Sequence, residues 1–382
     1  MKNISIILIV ASIFSCSEKK ISSINPLDYI SDTTSLSIDR RTETYTRTLQ
    51  YLNGDLYWWN SDRGSISLFD LYDKKLKKII KMEHDGPNGL GIPLGFFVVH
   101  PDSIYVPNTT FRINLINSEG NWVANYDYRN FPKLGGLIPS MTRYSNMLLP
   151  DNKGSIYLIM RDLKNIQPTD LNEQALHENP LILSFKKDNG TFEYLNFRVP
   201  SSILKFNNLI NFSQAVTSNS LLLLHFQSNT LYEVDFSGDN FKEHQLQTDL
   251  LQNFSNEYYN SPRMSRSIEE NKHLALKSVE NLGLVFDHHK KLLYRFGWPG
   301  EEISNDKHAM KFGYTPRYFT ISIYDGSDFS LIKEFTLPRN TYLAHHYFVD
   351  EKGLNLFPMH PDNPEFNEDE MVIHTFDFSG LK

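Results

Sequence analysis

The sequence predicts an all-β fold: one six-bladed β-propeller built from four-stranded antiparallel blades. Three observations carry this expectation. Aromatic residues make up 13% of the chain, with 20 tyrosines and 26 phenylalanines, and such side chains favour strands. Short apolar runs alternate with turn clusters, and helical periodicity is almost absent. A degenerate unit of four strands also recurs along the chain, as expected for radially repeated sheets.

The N-terminus reads as a secretion signal. Met1-Lys2-Asn3 is followed by an apolar run from Ile4 to Phe14 and then Ser15. That run is too short to span a bilayer, which takes about 20 residues. Cys16, the only cysteine in 382 residues, follows at once. This is where bacterial lipoprotein processing cuts, leaving a diacylglyceryl-bearing cysteine as the new N-terminus. The expectation is therefore a cleaved signal at 1–15, a lipidated Cys16 with a polar tether through 32, and a propeller domain over 33–382. Several acyl chains, at about 0.8 kcal/mol per buried CH₂, would anchor the chain stably.

The repeat places blades at about 46–82, 95–126, 143–197, 211–247 and 282–335. Typical strands are 55–59, 65–70, 103–106, 112–116, 221–226 and 230–236. Asn53-Gly54, Asp188-Asn189-Gly190 and Asp325-Gly326 mark turns between them. A sixth copy, 343–378, holds only three strands. The segment Leu36–Ile38 is expected to supply its fourth, joining the chain ends in one blade and closing the ring against open edges. Seven blades, a β-sandwich or two β-domains fit the repeat less well.

Strand direction alternates within a blade, so connections after strands one and three share one face. These are short. Connections after strands two and four share the other face and hold the long insertions, at 83–94, 127–142, 161–179, 248–281, 297–317 and 359–369. Long loops on a rigid scaffold are where binding and catalysis concentrate.

The C-terminal third carries a resemblance. Leu284 to Phe296, ending Leu293-Tyr294-Arg295-Phe296, is similar to a "Tyr-Asp-x-x-x-x-x-Leu-Tyr-Tyr-Arg-Phe" segment. Glu351 to Phe357, Asn363 to Glu370 and Thr375 to Phe378 form a second signature. With the Cys16 signal, these resemble an uncharacterised family of Bacteroidetes lipoproteins known as a domain of unknown function. The resemblance implies a TolB-like six-bladed propeller at the outer membrane, with the side of that membrane open. It implies no activity.

The chemistry-bearing candidates are few. No nucleophile elbow, zincin helix, Walker loop or EF-hand pattern occurs. His84 to Gly91 is glycine-rich but opens no helix, so it reads as a blade-to-blade loop. Asp287-His288-His289 and His345-His346 suggest metal ligands by type. Neighbours on a strand point to opposite faces, however, so structural histidines are expected. The acidic run Asp362, Glu365, Glu368, Asp369 and Glu370 lacks calcium-loop spacing. Arg295 is expected to be a structural ion-pair partner. Arg143, Tyr258, Tyr259, Arg263, Trp298, Tyr314 and Arg317 lie in or beside the long loops. Arginine with aromatics suits carboxylates or sugar rings, so these seven are the candidate ligand-binding residues.

A net charge of −7 argues against nucleic acid as the partner. With no second cysteine, neither disulfides nor thiolate metal sites arise. No metal, cofactor or catalytic residue is expected. The expected function is a lipid-anchored binding or scaffolding module whose ligand is a protein, peptide or glycan. The competing class is a hydrolase or lyase with its site at the propeller mouth.

Overall fold

The computed structural model describes residues 25–86, 89–129, 137–139, 148–150, 154–162, 172–178, 180–206, 212–254, 257, 266–301 and 316–381. Six antiparallel sheets form the blades of a propeller. Blade 1 uses Leu49–Leu52, Asp55–Asn60, Ser65–Asp70 and Lys75–Lys81. Blade 2 uses Phe97–His100, Ser103–Pro107, Arg112–Ile116 and Trp122–Asp127. Blade 4 uses Phe212–Val216, Ser220–His225, Thr230–Asp235 and Phe241–Gln245. Blade 5 uses Glu280–Asp287, Leu292–Trp298, Thr320–Asp325 and Leu331–Thr336. First strands of adjacent blades lie against one another, as between Leu49–Leu52 and Tyr347–Val349, and between Phe212–Val216 and Glu280–Asp287. They form the inner ring.

Each blade buries both faces between its neighbours, and this explains the sequence pattern. In Asp55–Asn60, Leu56 and Trp58 face blade 6 while Tyr57 and Trp59 face blade 2. Second strands therefore read as continuous apolar runs rather than alternating ones. Fourth strands lie at the rim and are largely exposed, as in Trp122–Asp127 and Phe241–Gln245. Six apolar clusters fill the six blade-to-blade interfaces.

Blade 6 closes the ring. Its order from the inside is Tyr347–Val349, Leu354–Leu356, Glu370–Phe376 and then Ile30–Ser37. The N-terminal strand pairs antiparallel with the last strand, from Ile30 opposite Phe376 to Ser37 opposite Glu370. Closure thus follows the expected scheme, but the strand begins six residues before Leu36. Residues 26–32, expected in the tether, belong to the fold. Asn25 Oδ1 accepts the Leu27 N–H at 3.1 Å and starts a 3-10 turn over Pro26–Tyr29. Leu27, Tyr29 and Ile30 then pack on the cluster between blades 5 and 6. The polar composition that suggested a tether is that of a rim strand with one covered face.

Blade 3 departs from the simple repeat. Two short segments, Leu137–Pro139 and Leu148–Pro150, both pair with Ser155–Asp162. That strand continues the sheet to Ile182–Lys186 and Thr191–Tyr194. Each short segment ends on a proline, which has no N–H for the ladder. The blade therefore starts at 137 rather than 143.

Blades 5 and 6 are also tied at their short turns. Lys290 Nζ bonds Asp377 Oδ1 at 2.6 Å, and Asp377 N–H donates to the Tyr29 carbonyl at 2.9 Å. Lys352 Nζ meets Asp32 at 2.8 Å on the closing strand. Gly353, with φ +148°, sits where a Cβ would lie 2.1 Å from the Phe376 carbonyl oxygen, so only glycine fits this turn.

Two outcomes test this architecture. Leu36 is fully buried between blades 6 and 1. Leu36→Ala is expected to cost about 2–4 kcal/mol, read as a lowered urea midpoint. The Lys290 ammonium and the Ser379 N–H hold the Asp377 carboxyl down at about 2, against an ordinary 3.8. A depressed carboxyl stabilises the fold above its unfolded value, and the gain fades as pH falls from about 4 to 2. Asp377 is partly exposed, so Asp377→Asn should remove under about 1 kcal/mol at pH 7 and only a small part of that near pH 2. Urea melts at both pH values check this.

Candidate functional site

The long connections do gather on one face. After strands one and three, the chain turns back through 53–54, 101–102, 217–219, 288–291 and 350–353, and through 71–74, 187–190 and 326–330. From the opposite strand ends the chain leaves and returns between residues 81 and 97, 162 and 182, 194 and 212, 245 and 280, 298 and 320, 336 and 347, and 356 and 370. Blades 1, 2 and 4 keep short second-strand turns there, at 61–64, 108–111 and 226–229. The elaboration is carried by connections between blades and by the second-strand connections of blades 3, 5 and 6.

One further connection belongs to this face. The segment 38–48 leaves the closing strand, which is a fourth strand, and enters blade 1. It borders a cleft of about 550 Å³ with the turn 61–63 and the loop end Glu368 and Asp369. The floor is anchored from below. Thr42 and Ser67 hydroxyls meet at 2.9 Å, and Trp58 Nε1 donates to the Glu43 carbonyl at 2.7 Å. The Glu43 carboxylate accepts the N–H groups of Ser61 and Asp62 at 3.0 and 2.9 Å. Burial, with Asp62 nearby, pushes the Glu43 carboxyl up, against the opposing pull of those N–H donors.

The charges lining the cleft divide into engaged and free groups. Asp39 is gripped by Arg41, with Nη2 at 2.6 Å, and Glu43 is spent on the turn. Arg40, Arg47 and Arg63 are exposed, and none makes an ion pair or side-chain hydrogen bond among the described residues. Free guanidiniums present planar, forked donors suited to carboxylate or phosphate oxygens. Asp62, Glu368 and Asp369 add carboxylates to the same rim.

Behind Tyr45 the wall is aromatic. Its ring lies 4.9 Å from His345 and 5.6 Å from His346. His346 Nε2 sits 3.0 Å from the Thr46 carbonyl, and its ring packs on Trp58 at 4.9 Å. The His345-His346 pair is thus buried packing. Asp287 likewise caps its own turn, accepting the His289 and Lys290 N–H groups at 2.8 Å. Among the described residues no group of three or more His, Asp or Glu converges on one point.

A second feature lies on blade 5. Trp298 Nε1 and Glu301 N both donate to the Leu276 carbonyl at 2.8 Å, holding the helix Ile268–Lys277 against the blade. Trp298 is 4% exposed and packs on Tyr318 at 5.0 Å. Arg339 lies over the Tyr318 ring at 4.3 Å and pairs with Glu301 at 2.7 Å, a cation–π stack. Arg317, half-buried, is tied in through its carbonyl, which accepts from Asn340 N–H at 2.6 Å. Trp298 and Arg317 thus belong to one wall of the elaborated face. Arg143, Tyr258, Tyr259, Arg263, Tyr314 and Cys16 lie outside the described residues.

Arg295 corrects an expectation. It is fully buried, and its described hydrogen bonds go to neutral oxygens rather than a carboxylate. These are Asn281 Oδ1 at 2.7 Å, Asn229 Oδ1 at 2.6 Å and the Tyr324 hydroxyl at 3.3 Å. Asn229 belongs to the blade 4 turn, so the guanidinium clips blade 4 to blade 5. A planar cation with five N–H donors fits three such acceptors without an anion.

The fold and site together define a closed six-bladed propeller with one elaborated, cleft-bearing face. The chain belongs to the family described as Domain of unknown function (DUF4221), which matches residues 23–336. The first resembling segment lies inside that range, whereas the whole of the second signature lies beyond it. A crystal structure of a DUF4221 member from Bacteroides vulgatus is similar at 18% identity and a TM-score of 0.73. The match covers 91% of this chain and 97% of that one. A protein described as exported, from Bacteroides fragilis, is similar at 10% identity and a TM-score of 0.52, over 92% and 95% of the two chains. No curated protein matches the chain.

The sequence reading passed over Arg40, Tyr45, Arg47 and Arg63. The signal was present. Once the N-terminal strand is assigned as a fourth strand, the segment after it must emerge on the elaborated face.

Arg295→Ala leaves the buried Asn281 Oδ1 and the part-buried Asn229 Oδ1 without this donor. The expected loss is about 3 kcal/mol, measured as a drop in the urea midpoint.

Proposed function

We propose that the protein is a lipid-anchored envelope protein that binds a partner through its elaborated face. Its anchor is Cys16, and its location is the outer membrane. One observation carries the reading: the long connections share a face, and the described cleft there keeps three guanidiniums free. A binding surface needs presented, uncommitted groups, whereas packing alone tends to consume them. The partner is a peptide, protein or glycan that offers carboxylates or other anionic groups. Of the seven candidate ligand-binding residues, Trp298 and Arg317 border this face, and Arg143, Tyr258, Tyr259, Arg263 and Tyr314 are proposed from their sequence positions alone. The DUF4221 member from Bacteroides vulgatus contributes the fold to this reading and no ligand.

Two experiments test it. Cys16→Ala is expected to move the protein from the membrane fraction to the soluble envelope fraction. Continued membrane association of the variant would defeat the anchoring claim. In-cell cross-linking is expected to recover a specific partner. The double variant Arg40→Glu, Arg63→Glu should lower that recovery about tenfold, equivalent to about 1.4 kcal/mol. Unchanged recovery would remove the cleft from the binding surface.

A further inference from the structure

The direction of the closing strand fixes where the chain enters the propeller. Ile30 pairs with Phe376, which in turn pairs with Leu354 beside the short turn 350–353. Ser37 pairs with Glu370, which follows the long connection 357–369. The strand therefore runs from the short-turn face to the elaborated face. Three contacts hold its start on the short-turn side. Asp32 pairs with Lys352 of the turn 350–353, at 2.8 Å. Asp377 N–H donates to the Tyr29 carbonyl, and the Asp377 carboxylate pairs with Lys290 of the turn 288–291. The 3-10 turn Pro26–Tyr29 is packed down by Leu27 and Tyr29, with the Tyr29 ring 5.2 Å from Phe378. The C-terminal turn Ser379–Leu381 ends on the same side.

From this topology we infer that the short-turn face is the surface turned toward the lipid bilayer, and that the cleft face points away from it. The inference rests on the reading of Cys16 as the anchor. Between Cys16 and Asn25 the chain spans at most about 30 Å, at about 3.4 Å per residue. An attachment that short, leaving from one face and packed down at its root, restricts the body from turning over. Strands of about six residues separate the two faces by about 20 Å. The Arg40, Arg47 and Arg63 cleft then opens to the aqueous side. Its partner is a soluble or extended anionic molecule arriving from that side, and lipid headgroups of the anchoring leaflet are out of its reach.

The test separates orientation from anchoring. The mature chain carrying Cys16→Ser is held on nickel-chelating vesicles through an N-terminal histidine tag, so tethering does not depend on acylation. A single reporter thiol is introduced by Glu351→Cys, in the short turn, or by Glu368→Cys, at the cleft. Both positions are exposed, and both lie in blade 6. Each is labelled with a fluorophore, and quenching by nitroxide-headgroup lipid is measured. Quenching at 351 is expected to be about twofold or more that at 368, following the ~20 Å between faces. Equal quenching, or stronger quenching at 368, would overturn the inference. Matched urea melts confirm that both labelled chains are folded. Failure of the anchor itself is read separately, from the fractionation of Cys16→Ala in cells.

Discussion

The pairing of Ile30–Ser37 with Glu370–Phe376 is the constraint on which the structure depends. A ring of blades has no stable end without it, because blade 6 would otherwise expose the edge of Glu370–Phe376. The pairing also completes the cluster between blades 6 and 1, where Leu36 and Ile38 join Phe348, Met371 and Ile373. The interactions around it are redundant by type. Backbone ladder, apolar burial and the Lys352–Asp32 and Lys290–Asp377 pairs meet within one blade edge. Burial dominates this set, since exposed ion pairs contribute at most about 1 kcal/mol each while a buried leucine contributes about 1.5–3.

The same closure creates the wall of the cleft. The chain must pass from the rim of blade 6 to the inner strand of blade 1, and it does so through 38–48. That crossing, forced by ring geometry, is the wall that carries Arg40, Tyr45 and Arg47. At the interface of blades 4 and 5 the polar groups are engaged. Arg295 is surrounded by acceptors from two blades, and Glu334 accepts from Thr248 Oγ1 and Asp249 N–H across the same interface. Arg295, engaged at a blade interface, contrasts with Arg40, Arg47 and Arg63, which make no ion pair among the described residues.

Much of the fold was legible in the sequence, for physical reasons. Strands buried on both faces read as continuous apolar runs, and tight turns demand Asn, Asp and Gly at fixed places. Both signals are local. What escaped is what depends on distant partners. Ile30–Asp32 looks like tether because a rim strand is polar on its open face. The two-part inner edge of blade 3 depends on the length of Ser155–Asp162. The neutral partners of Arg295 come from residues on two blades. The cleft was hidden for a related reason: its walls are 38–48, 61–63 and 368–369, brought together only by closure. Trp298 and Arg317 were named from loop position alone, which does not show that Trp298 ends a strand and is buried.

The closing strand has a consequence for the order of events in folding. Ser31 and Thr375, joined by a hydrogen bond, are 344 residues apart in the chain. The first strand to leave the ribosome is therefore the last to gain its partner. Blades 1 to 5 have neighbours close in sequence and can consolidate early, but blade 6 waits for the final residues. Such a long-range contact is slow to form, since the loop entropy is lost before the contact is gained. Until it forms, two strand edges stand open, one at each end of the polypeptide, and each is a template for the wrong chain.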